Sequence, residues 1–74
     1  MMLARVLSKI YKEEDGIILV DPSGQKYIVG NPRPVKPITL KLLKKNLETK
    51  LVLFPEIAFP EAYMNEELII ENAS

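Results

Sequence analysis

The sequence predicts an α+β fold. It reads as an N-terminal amphipathic helix, a β-hairpin and further strands in a small, mostly antiparallel sheet, packed with one longer and one or two short helices. Three observations carry this reading. Apolar residues recur at helical spacing near the N-terminus and again between Leu43 and Phe54. Two β-rich runs, Ile17–Val20 and Lys26–Val29, flank the turn-forming "DPSGQ". "ITLKL" alternates Ile38, Leu40 and Leu42 with Thr39 and Lys41, which is strand spacing.

In the first element, Leu3, Val6, Leu7 and Ile10 define one face, with Tyr11 beside them and Arg5, Lys9 and Lys12 opposite. Acids at 13–15 suit a helix C-terminus poorly, so the helix is expected to end near Lys12. In the hairpin, Pro22 presets φ, Asp21 can bond back to the backbone, and Gly24 accepts the positive φ that closes such loops. Ile17–Val20 is apolar on both faces, which predicts cover on both sides. The three prolines of "NPRPVKP" make a stiff, extended connector. Leu43, Leu47, Leu51 and Phe54 predict the longer helix, with Lys44, Lys45, Glu48 and Lys50 outside. Pro55 and Pro60 suit the first turns of two short helical segments, and "ELIIEN" reads as a last short strand.

Seventy-four residues make one domain, 1–74, with a core that depends on its 47% apolar content. The net charge is zero but arrives in blocks: basic over 1–12, acidic over 13–21, basic over 22–50 and acidic over 51–74. No apolar run reaches the roughly 20 residues of a spanning helix. The absence of cysteine fits a cytoplasmic protein.

The chain lacks His, Cys and Trp, so no Ser-His or Cys-His pairing and no transition-metal cluster can be built from it. Gly16, Gly24 and Gly30 form neither a phosphate-cradling loop nor a dinucleotide fingerprint. These residues predict no catalytic, cofactor or metal site within the chain. The best interaction candidate is the first helix, whose Arg5, Lys9 and Lys12 lie beside an apolar side bearing Met1, Met2 and Leu3, a pattern suited to an anionic bilayer. Its bland alternative is a core-facing helix with a solvated flank. Lys44 and Lys45 stand behind them as lipid-headgroup contacts, against the alternative of a solvated face. The scarcity of arginine and aromatic residues there speaks against nucleic acid. In Glu61-Ala62-Tyr63-Met64 the ordinary reading is a helical turn whose Tyr and Met pack inward, and its functional alternative is a tyrosine hydroxyl held for a ligand.

Three segments, in order, carry a family resemblance: the basic helix with "GIILVDPSGQKYIVG", the alternating "ITLKL" after a proline-containing connector, and "FPEIAFPEAYMNEELIIEN". Together they resemble the N-terminal domain of the cyclopropane-fatty-acyl-phospholipid synthase family, S-adenosylmethionine-dependent methyltransferases of membrane acyl chains. The resemblance runs from about Leu3 to Asn72 and gives Gly24, Glu61, Ala62, Tyr63 and Met64 as family-motif positions of structural character. Pro60 stands where the family commonly has glycine. Asn65-Glu66 stands where it commonly has an Asp-Gly-like turn, so Glu66 gives up glycine's freedom at positive φ.

The resemblance implies an accessory domain whose catalytic methyltransferase domain, with its S-adenosylmethionine site, lies elsewhere in a larger parent chain. Partners would be that domain and an anionic phospholipid surface, reached from the cytoplasmic side at the inner membrane face. Two rivals remain at this level. One is a protein-interaction or homodimerisation module without lipid contact. The other is a stand-alone protein that shares the fold.

Overall fold

The hairpin organises the sheet. In the computed structural model, which describes residues 1–11 and 15–73, β1 (Gly16–Val20) pairs antiparallel with β2 (Lys26–Gly30), Leu19 facing Tyr27 and Ile17 facing Val29. The turn between them is held by one side chain. Asp21 Oδ1 accepts bonds from the amides of Ser23 and Gln25, both at 3.0 Å, and from the Ser23 hydroxyl at 2.6 Å. Gly24 takes φ +94°, the left-handed step that the loop requires.

The proline connector then carries the chain past the start of β1. Here Gly16 and Gly30 stand opposite each other, and a Cβ on Gly16 would strike the backbone of Val29 and Asn31. Beyond the crossing, β3 (Thr39–Leu42) runs parallel to β1 and pairs antiparallel with β4 (Leu68–Glu71). The strand order is β2-β1-β3-β4, so the α+β expectation holds, with one parallel pair in an otherwise antiparallel sheet.

Among the described residues three helices form the second layer: α1 (Met2–Ser8), α2 (Leu47–Leu53) and α3 (Pro55–Met64). Leu3, Leu47, Leu51, Ala58 and Ala62 from the helices meet Ile17, Leu19, Val29, Leu40, Leu42 and Leu68 from the sheet in one buried cluster. Pleat alternation explains the strand half of this set, because residues two apart share a face.

Four expectations are corrected. The helix expected to end near Lys12 ends at Ser8, and Val6 and Ile10 are exposed; Lys12 itself lies outside the described residues. The helix expected from Leu43 begins at Leu47, because the Leu43 amide still donates to the Glu67 carbonyl at 2.9 Å and extends the β3–β4 ladder. Phe54 leaves the core stripe at φ −135°, ψ 60°, as a residue before proline is driven to do. Pro60 starts no second segment but lies inside α3, where it offers no N–H to the carbonyl of exposed Glu56.

The expected double cover of β1 is also not met. The helices pack on the face bearing Ile17 and Leu19, while Ile18 and Val20 on the other face are half-buried. Their shielding comes from neighbours in the sheet, which suffices for β-branched residues on a pleated surface. Ile28 on that face is 74% exposed, and the Lys41–Glu71 ion pair, at 3.0 Å, crosses it.

Candidate functional site

The β3–α2 turn gathers the lysines that the sequence singled out. Lys44 and Lys45 precede α2, Lys50 projects from it, and with Asn46, Leu47 and Glu67 they line a cleft of ≈ 370 Å³. Lys44 Nζ lies 3.6 Å from Glu67 Oε2. Lys45 and Lys50 have no carboxylate partner among the described residues.

This cleft continues into an apolar groove between α2 and α3, also of ≈ 370 Å³, floored by Leu47, Ala58 and Ala62 and walled by Phe54 and Ile57. Leu47, Lys50 and Glu67 line both cavities, so charge and apolar surface are contiguous. Glu61 also lines the groove.

At its outer end the α2–α3 junction forms a knuckle on which Leu53, Phe54 and Ile57 are 61%, 63% and 67% exposed. The sequence reading missed this patch by counting Phe54 into the core stripe. The signal was present in Pro55, which ends α2 and turns Phe54 outward.

Arg5 and Lys9, one helical turn apart, are both exposed on α1, beside exposed Met2 and Val6. Neither lines the cleft that holds Lys44 and Lys45.

Within the Glu61–Met64 motif, Ala62 is buried in the core while Glu61, Tyr63 and Met64 are exposed. The expectation that Tyr63 and Met64 pack inward is thus corrected: both line a groove beside β4. The chain leaves this helix through Glu66, which holds φ +57° and so keeps the left-handed step without a glycine.

The hairpin turn carries the perturbed titrations. Hydrogen bonding, first from the Ser23 hydroxyl and then from the Gln25 and Ser23 amides, lowers the Asp21 carboxyl below its ordinary 3.8. Burial, followed by the Asp21 charge, raises the Tyr27 hydroxyl above 10.0. The Tyr27 hydroxyl donates to Asp21 Oδ2 at 3.4 Å, a long bond. These groups lock a turn and face no cavity among those that line the helices.

No helix among the described residues is long and apolar enough to cross a membrane. Comparison with protein-family models, with curated proteins and with solved structures finds no match for this chain.

Proposed function

We propose that this chain is a non-catalytic accessory domain that docks on anionic lipid surfaces through the α2–α3 knuckle. One observation carries the reading: three exposed apolar side chains, Leu53, Phe54 and Ile57, project beside a cleft lined by Lys44, Lys45 and Lys50. Apolar residues that enter the headgroup boundary, ringed by lysines that meet lipid phosphates, are what such docking requires. Arg5 on α1 and Lys9 at its C-terminal end supply a second contact.

Magnitudes rank the two contributions. A lysine near an anionic leaflet contributes about 1 kcal/mol. Full withdrawal of a Leu, Ile or Phe side chain from water is worth roughly 1.5–3 kcal/mol. The knuckle supplies most of the free energy and the lysines supply the preference for anionic lipid, partly offset by Glu56 on the knuckle and by Glu61 and Glu67 in the groove.

The wider setting rests on the resemblance of the three segments. In it, the domain holds a methyltransferase domain of the same parent chain at the inner membrane face. That domain transfers a methylene unit from S-adenosylmethionine to unsaturated phospholipid acyl chains, and no residue of the present chain is assigned to the cofactor.

Co-sedimentation with vesicles tests the docking. Binding is expected with anionic but not zwitterionic vesicles, and it should fall with salt as surface charges are screened. Phe54→Glu should weaken it more than Lys45→Glu. Binding unchanged by both substitutions would refute the docking surface.

A second reading, a protein-interaction module without lipid contact, is favoured by the open sheet face bearing Ile18, Val20 and Ile28. It predicts self-association of the chain without vesicles, and a monomer by sedimentation equilibrium removes its homodimeric form.

A further inference from the structure

A further groove lies at a sheet edge. Among the described residues β4 pairs only with β3, so its far side is open. Because the Leu43 amide bonds the Glu67 carbonyl, ladder bonds fall at alternate pairs, Lys41 with Ile69 and Thr39 with Glu71. The main-chain N–H and C=O groups of Leu68 and Ile70 therefore point away from β3. Beside this edge runs a groove of ≈ 680 Å³, lined by Tyr63 and Met64 of α3 together with Glu66, Leu68, Ile69 and Ile70.

We infer that the open edge of β4 accepts an extended segment of another protein as a fifth, antiparallel strand, apolar in the middle and basic at both ends. Strand addition of this kind takes affinity from main-chain bonds and specificity from alternate side chains. Residues opposite Leu68 and Ile70 would enter the groove between Tyr63 and Met64.

The ends are chosen by charge. Glu66 and Glu67 stand before the strand and Glu71 closes it; Lys44 reaches Glu67 at 3.6 Å and Lys41 reaches Glu71 at 3.0 Å, both from the β3 side, which leaves Glu66 as the acid in excess. The same charges oppose a second copy of this chain as occupant. A two-fold antiparallel pair that sets Leu68 against Ile70 also sets Glu67 against Glu71, and like charges directly opposite are destabilising. This inference stands whether or not the domain docks on lipid.

The probe is an N-acetylated, C-amidated pentapeptide, Lys-Val-Ile-Val-Lys, and the readout is amide hydrogen exchange. Peptide at about ten times its dissociation constant should slow exchange at Leu68 and Ile70 on the order of tenfold, with Ile28 unaffected. N-methylation of both valines, which face the edge, should abolish the effect, and glutamates at both ends should weaken it several-fold.

Ile70→Pro removes only an outward N–H, which an edge strand tolerates. It should abolish binding with the circular dichroism spectrum retained, and Met64→Glu should weaken binding without touching the ladder. No slowing at low-millimolar peptide, or equal slowing by the N-methylated peptide, would overturn the inference. So would a dimer of the unmodified chain that Ile70→Pro dissociates.

Discussion

The Leu3 amide donates to the Glu48 carboxylate at 3.0 Å, joining the first turn of α1 to the first turn of α2. Helix α1 has no side-chain cap of its own, since Met1 occupies the N-cap. Glu48 replaces that cap from 45 residues away and brings a negative charge to the positive end of the helix. Glu48→Ala should lower stability by about 1.5–3 kcal/mol, as expected for a hydrogen bond to a charged group. Glu48→Gln, which keeps an acceptor, should lose less. Urea unfolding of the two variants measures the difference.

The Asp21 turn makes stability fall at acid pH. Its carboxyl titrates below its ordinary 3.8 in the fold, so the stabilisation is present above that pH and is lost as pH falls through the lowered value. Tyr27 has the opposite sign: its stabilisation is present below pH 10.0 and is lost as pH rises through the raised value. Thermal midpoints across pH should therefore flatten on the acid side in Asp21→Asn. In Tyr27→Phe they should flatten on the alkaline side.

Glu66 occupies a conformation that costs an L-residue roughly 1 kcal/mol. Glu66→Gly relieves it and adds chain entropy to the unfolded state, so the net change is expected to be a stabilisation of at most about 1 kcal/mol. A clear loss of stability on denaturant titration would show that the Glu66 side chain contributes a contact of its own.

Leu19 and Ile28 stand on opposite faces of the hairpin and separate the two layers energetically. Leu19 is fully buried at the middle of the sheet, so Leu19→Ala should cost about 2–5 kcal/mol. Ile28→Thr, on the open face, should change stability by no more than about 0.5 kcal/mol. Comparable losses at both positions would mean that the outer face is covered.

Legibility in the sequence followed locality. The hairpin was readable because Asp21, Ser23, Gly24 and Gln25 settle it among themselves. The alternation of Leu40 and Leu42 likewise named their buried face. What was not readable depended on distant partners. The start of α2 is delayed because Glu67 holds Leu43 in the ladder. The early end of α1 and the exposure of Ile10 reflect which residues the sheet has room to cover, since Leu3 reaches the core and Ile10 does not.

Of the candidate site, the sequence named Lys44 and Lys45, but their union with Lys50 and the knuckle needed the packing of α2 on α3. Periodicity alone placed Phe54 inside. The proline after it, a backbone constraint, decided otherwise.

The docking claim is tested most directly by fluorescence from Phe54→Trp, since the chain has no tryptophan to interfere. On addition of anionic vesicles the emission should shift to the blue and be quenched by bromine on the lipid acyl chains, with neither change for zwitterionic vesicles. Emission that stays at its aqueous position with anionic vesicles in excess would contradict the account.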